Sequence, residues 1–332
     1  MARLKIAALS LLITLVLITP SASNAQTRKL DLGGLIVSVS DSRTAQVFHI
    51  VDQMSDWDSA VHHGYVRWAA KTLNLGLEDR KLLQKHAEMR RARGWGNGFE
   101  QAFYVDDSIE VAAERAVENK LISADEAAAE KTILLHFAPM LSEMLNRNAP
   151  QLAAFRKRLE AEGKKIAPIV RKLVRFSETQ ETISVPLFLV PNPEEGSGGG
   201  GFNGGRLVVE IQKEPDPLPI LFHECLHALL WQHKEAIRAA AESLGLSWGA
   251  LNEGIAHAFS PGITDDLRES DSLAERLTRN LQKGTPASDR SAQQYMIALL
   301  IRPLLRSALE RGETFRDFLP KAIVKLRNFS WH

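Results

Sequence analysis

Residues 220–230 read ILFHECLHALL. Whether His223-Glu224-Cys225-Leu226-His227 is a metal-binding helix, or two histidines four apart by accident, decides how the whole chain is read. In an α-helix, residues i and i+4 stand one turn apart on one face, so His223 and His227 can present two imidazole nitrogens to a single ion. Glu224 lies beside them, displaced around the helix, where it reaches a water at the ion without ligating the ion itself. Cys225, Leu226, Ala228 and Leu229 are uncharged and suit a helix buried on its other sides. Cys225 follows His223 by two residues, about 200° around the axis, and so faces away from the metal as a small hydrophobe.

The N-terminus sets the expected compartment. Arg3 and Lys5, the apolar run from Ile6 to Ile18 broken only by Ser10 and Thr14, and the small residues after Pro20 form a secretory signal pattern with a cut after Ala25. A retained anchor needs about 20 apolar residues, and this run is shorter and ends in Pro and Ser. The expectation is export, to periplasm or medium, with no stable membrane anchor left. Without residues 1–25 the formal charge moves from +1 to −1, which gives no global attraction to nucleic acid or anionic membrane. The basic run Met89-Arg90-Arg91-Ala92-Arg93 reads as one solvated helix face. The single cysteine forms no internal disulfide, so the fold rests on its core, and roughly 300 residues suffice for one large or two modest domains.

Leu35–Ser40 alternates as a short strand, and the pattern from 59 to 178 is mostly helical. Ser123-Ala124-Asp125-Glu126 is a capping box that opens a long helix, with a kink expected at Pro139. A further helix over 151–162 is expected to end at Gly163, before a basic helix over 166–176. Residues 182–190 and 206–212 read as two strands, with Pro186 suited to an edge position. Between them the Gly-rich stretch from Gly196 to Gly205 contains G-x-G-x-x-G twice, but a strand follows it where a dinucleotide site needs a helix, so it reads as a flexible hairpin connection, or flap. The prolines of 215–219 end the second strand, and Pro219 suits the first turn of the motif helix. This gives an α+β fold, mainly α: a leader at 1–25, a mainly helical region at 26–180, and a metal-binding region at 181–332.

A catalytic zinc needs a third protein ligand, and Leu251-Asn252-Glu253-Gly254-Ile255-Ala256-His257-Ala258-Phe259 offers an acid on a second helix. NEGIAHAF resembles the glutamate helix of the gluzincins, the metallopeptidase group that includes thermolysin-like and aminopeptidase N-like enzymes. The resemblance covers about 182–330. It implies a zincin-like catalytic part (small sheet, motif helix and Glu helix), Zn²⁺ held by His223, His227 and Glu253, and hydrolysis of peptide bonds with Glu224 as general base. It also implies a peptide or protein substrate added to an edge strand, taken to be 206–212. The gap from His227 to Glu253 exceeds that of the best-known members and implies an inserted helix around 233–244. Thermolysin-like enzymes place an Asp four residues after the third ligand, whereas this chain has His257 there.

SAQQYMIALLIRPLL (291–305) resembles the helix that carries the catalytic Tyr in this group, which makes Tyr295 the candidate oxyanion donor. Its other reading is an ordinary half-buried aromatic at helical spacing. His257, one turn beyond Glu253, is a candidate to orient a ligand or contact substrate, or else a packed surface histidine. His62 and His63 are adjacent and cannot share a helix face, and His49, His86, His136 and His233 show no ligand spacing. A catalytically silent, zinc-stabilised peptide-binding module of the same fold is the alternative to an enzyme. A third possibility is an interaction protein that works through 59–178.

Overall fold

The structure is a computed structural model that describes residues 28–178, 182–194, 198–213, 216–259 and 290–329. The expected signal segment 1–25 lies outside these residues. Strands β1 (Arg28–Asp31) and β2 (Leu35–Ser40) come first. Six helices follow: α1 (Arg43–Met54), α2 (His63–Thr72), α3 (Leu77–Arg93), α4 (Gly98–Phe103), α5 (Ile109–Glu118) and α6 (Ala124–Phe176). Then come β3 (Ile183–Pro191), β4 (Gly200–Asn203) and β5 (Arg206–Ile211). The chain continues through α7 (Pro217–Leu230), a 3₁₀ turn (Trp231–His233), α8 (Lys234–Ser243), α9 (Trp248–Phe259), α10 (Arg290–Arg311) and α11 (Phe315–Arg327). The fold is α+β and mainly α, and the inserted helix expected around 233–244 is α8.

The strands form one sheet in the order β1-β2-β3-β5-β4. Its three inner strands are parallel, while β1 and β4 pair antiparallel at the edges. Alternation along the inner strands sends side chains to two cores. Val37, Leu187, Leu189, Val209 and Ile211 join the larger one with the second half of α6 and with α7 to α11. Phe188, Val190 and Val208 join the smaller one with α1 to α5 and the first half of α6. Two strands come from before residue 180 and three from after it, so the boundary expected there runs through a shared sheet.

Three expectations about these elements need correction. Ser123 caps α6 as the capping box predicts, but the helix then runs 53 residues, about 80 Å, with Pro139 and Gly163 both inside it. Gly163 ends nothing. It is buried against β1's end, where a Cβ would stand 2.8 Å from Leu32 Cδ2, so its missing side chain serves a close approach. Pro186 lies on an inner strand rather than at an edge. The ladder with β5 begins only at Leu187, so at Pro186 the strand is flanked by β2 alone, and the side away from β2 has no bond to lose. The stretch 206–212, expected to be the free edge, is also an inner strand. The edge is β4, made from the Gly-rich stretch itself, and Gly204 and Gly205 turn it into β5 at φ 58° and 80°, a pair of left-handed conformations that glycine takes at little steric cost.

The fourth correction concerns charge. Arg90, assigned to a solvated face, is fully buried. Its guanidinium donates to Asp52 at 2.6 Å and Glu100 at 2.6 Å and lies 4.4 Å from the Trp57 ring centroid. His86, equally buried, bridges Asp52 at 3.1 Å and Glu130 at 2.9 Å. The histidines given no role are spent on such contacts. His49 and His62 flank buried Glu210 at 3.2 and 2.7 Å, His136 meets Asp79 at 2.7 Å, and His233 Nε2 lies 2.9 Å from the Ser177 carbonyl.

Candidate metal centre

Helix α7 starts where the sequence requires it: Pro217 fills the first position, and the Asp216 carboxylate accepts the Leu218 N–H at 3.0 Å. Leu221, Phe222, Cys225, Leu226 and Leu229 sink into the larger core. Burial pushes the Cys225 thiol far up, so it stays protonated and inert, as its position predicts. With those sides taken, the stripe bearing His223 and His227 faces α9 and its Glu253.

Helix α9 is placed by Gly254. A Cβ on that residue would lie 2.5 Å from Ile297 Cγ2 and 3.0 Å from the Gln294 carbonyl, so only glycine lets α9 and α10 approach this closely. That approach brings Tyr295 to His257, with ring centroids 4.9 Å apart. The Arg302 side chain closes the end of α9 by donating to the His257 and Ala258 carbonyls at 2.9 and 3.2 Å.

The three expected ligands converge. The Nε2 atoms of His223 and His227 are 3.1 Å apart, and Glu253 Oε2 stands 3.1 Å from the first and 3.4 Å from the second. A tetrahedral ion with bonds of about 2.0 Å holds its ligand atoms about 3.3 Å apart, so this triangle fits a zinc-sized ion. Among the described residues no other group of histidine, cysteine and carboxylate atoms closes in this way. Burial alone would raise the Glu253 carboxyl, but the hydrogen bonds and charges of both imidazoles hold it well below the usual range. Burial would likewise lower His227, and the contact with Glu253 outweighs it and raises the ring.

Glu224 is 8% exposed, and its burial pushes the carboxyl up toward the range of a useful proton acceptor. The Phe202 backbone N–H of β4 donates to it. Strand β4 can come this close because it is glycine there: a Cβ on Gly200 would meet Ile220 at 2.8 Å and Glu224 Cγ at 3.2 Å. Asn252 was not singled out in the sequence, yet its amide lies 3.0 Å from His227 Nδ1. The near atom is the amide nitrogen Nδ2, which as placed donates to Nδ1. A ring that turns Nε2 to an ion carries its proton on Nδ1, and the Asn252 amide turned over would then accept it through its oxygen and fix the ring. The position directly before Glu253 was the available signal. The His257 ring lies tilted against that of His223, centroids 4.6 Å apart, and thus sits between an expected ligand and Tyr295.

A cleft of about 400 Å³ opens beside Glu224, His227 and Glu253. One wall is Gly200 to Gly204, and the others carry Trp95, Trp231, Lys234 and Trp248. His223, His257 and Tyr295 do not line it, so this cleft reaches the triad from the side of His227 and Glu253. Trp95 belongs to the loop between α3 and α4, a contribution from the helical region that no local sequence signal announces. No family model, no curated protein and no solved structure matches this chain.

Proposed function

We propose that this protein is an exported zinc metallopeptidase of gluzincin type, with a zincin-like catalytic part built on α7, α9 and the β4 edge. One observation carries the reading: three ligand atoms 3.1 to 3.4 Å apart, with a buried carboxylate one residue along the same helix. His223, His227 and Glu253 would hold Zn²⁺, which when bound lowers the pKa of a water and polarises the substrate carbonyl.

The remaining chemistry belongs to the chain's own side chains. Glu224, held by the Phe202 N–H and shielded from solvent, takes a proton from the attacking water and passes it to the leaving amine. Asn252 keeps His227 in one orientation. Tyr295 remains the candidate donor to negative charge on the tetrahedral intermediate, with His257 packed between it and His223 as a candidate to orient that ligand. Peptide backbone pairs with the outer side of β4 in place of the 206–212 edge expected from the sequence. No described helix is long and apolar enough to cross a membrane.

The test is zinc content per chain and turnover of a mixed peptide library, for wild type and for Glu224→Gln. About one zinc in each, with a loss of at least a thousandfold in kcat for the variant, is the expected outcome. Zinc in both with turnover in neither would favour the silent binding module. Absence of zinc from a metal-replete preparation would end the metal reading.

A further inference from the structure

We propose that the cleft beside the metal centre receives the C-terminal one or two residues of its substrate, an apolar side chain resting on its tryptophans and the free carboxylate meeting Lys234. This rests on the peptidase reading for the direction of the chemistry, though the recognition itself can be measured without turnover.

Three observations carry it. The first is the wall. Trp231 follows His227 by four residues and so continues the ligand stripe one turn further, while Trp248 precedes Asn252 by one turn on α9. With Trp95, these put three of the six tryptophans of the chain on one cleft. Trp231 is 46% exposed and Trp95 39%, unusual for rings of that size, and Phe202 packs edge-on against Trp231 at 5.6 Å.

The second is charge. Lys234 is the one lysine or arginine lining the cleft, counted over the described residues. Its ammonium lies 4.5 Å from the Trp231 ring centroid and pairs with no described carboxylate, although Glu224 and Glu253 belong to the same cleft. Aromatic walls alone would attract cationic side chains as readily as apolar ones. The half-buried ammonium turns cations away and offers a counter-ion to a carboxylate.

The third is length. Lys234 follows His227 by seven residues, about 10 to 12 Å of helical backbone, and its side chain folds back over Trp231. A terminal residue or dipeptide spans roughly 3.5 to 7 Å, which lies within that seven-residue reach from His227 to Lys234. Among the described residues, one side of the cleft is bounded by Gly204. The turn after β4 rests on the start of α4, where a Cβ on Gly204 would stand 3.0 Å from Gln101 Cγ and 3.5 Å from the Asn97 carbonyl.

The experiment compares N-acetylated peptides ending in Phe with a free carboxylate against their C-terminal amides. Binding is read by calorimetry on zinc-loaded Glu224→Gln, and turnover on wild type. The free acid is expected to bind and react about tenfold or more better than the amide, with the gap falling below about threefold in Lys234→Gln. Replacing the terminal Phe by Gly should cost about tenfold in wild type and much less in Trp231→Ala, with zinc content and thermal midpoint as checks of folding. Equal treatment of acid and amide would overturn the proposal, as would cleavage that is blocked by N-acetylation, or binding of an oligosaccharide in preference to either peptide. Binding of the free acid by a zinc-loaded wild type that cleaves nothing would leave the pocket standing and remove the enzyme.

Discussion

Two of the clusters of histidine and carboxylate among the described residues differ in what answers their charges. At His223, His227 and Glu253 the polar atoms point at one another across a gap of ionic size, and Glu253 keeps 32% of its side chain open. At His86, Asp52, Glu130, Arg90 and Glu100 nothing is open: each of these side chains is at most 1% exposed, and protein partners supply the opposite charge. On the proposed reading a cluster of the first kind takes a ligand, whereas one of the second kind finds its partners within the protein, save Glu130 Oε1, which is buried without one, and serves the fold. Substitutions in the two should therefore fail differently, the one in activity and the other in stability.

The sharpest way to break that contrast is Arg90→Ala. It strands Asp52 and Glu100 in the smaller core and should cost about 3–5 kcal/mol of unfolding free energy in urea titrations. It should also loosen the loop bearing Trp95, because Glu100 accepts the N–H groups of Gly96 and Asn97 at 3.2 and 2.9 Å. A loss below about 1 kcal/mol would mean that the network behaves like an exposed pair and that the contrast is false.

A smaller effect follows from His86. Burial would lower its pKa, but the charge of Glu130 and the hydrogen bonds to Asp52 and Glu130 outweigh it and push the ring up to about 9. Because the folded value lies above the unfolded value of about 6.5, the stabilisation is complete below pH 6.5 and is lost as pH rises toward 9. The urea midpoint should fall across that window by the equivalent of about 2–3 kcal/mol. Protonated His62, raised by its contact with Glu210 against the effect of burial, adds a change of the same sign. His86→Gln should flatten the His86 part of the slope, and an unchanged slope in that variant would assign the dependence elsewhere.

On the other side of the comparison, Asn252→Ala should leave the fold in place and weaken zinc binding by about 10- to 100-fold, measured by competition with a chromogenic chelator. An undiminished affinity would show that the interhelical packing around Gly254, rather than the amide, fixes the His227 ring.

The centre was legible because its information is local. His223, Glu224 and His227, the residues expected as two ligands and the base, fall within five residues of one helix, and Glu253 falls in a recognisable stretch of another. The buried network was illegible because its members are drawn from α1, α3, α4 and α6, and nothing in the run 89–93 tells Arg90 from its exposed neighbour Arg91. Alternation and proline placement gave three of the five strands, missing β1 and the glycine strand β4 that was read as a flap, and did not give their order. Order depends on which strand inserts between which, and β5 inserts between β3 and β4. That single insertion moved the free edge from 206–212 to the glycines before it. Trp231 could have been found by carrying the i, i+4 stripe one turn further, whereas Trp95 could not.

Gly163 isolates the same lesson at the smallest energy. Read locally, a glycine between a charged helix and a basic one is a terminator, which would hold a left-handed conformation where alanine costs about 1 kcal/mol. In the fold it stands mid-helix under Leu32. Alanine there gains about 1 kcal/mol of helix propensity, and against that gain stands a Cβ 2.8 Å from the movable end of one leucine side chain. The two terms nearly cancel, so Gly163→Ala should change the unfolding free energy by less than about 1 kcal/mol in either direction. A clear destabilisation with unchanged helix content by circular dichroism would mean that the Leu32 contact is rigid. The same loss accompanied by a drop in helix content would mean that α6 breaks where the sequence alone suggests.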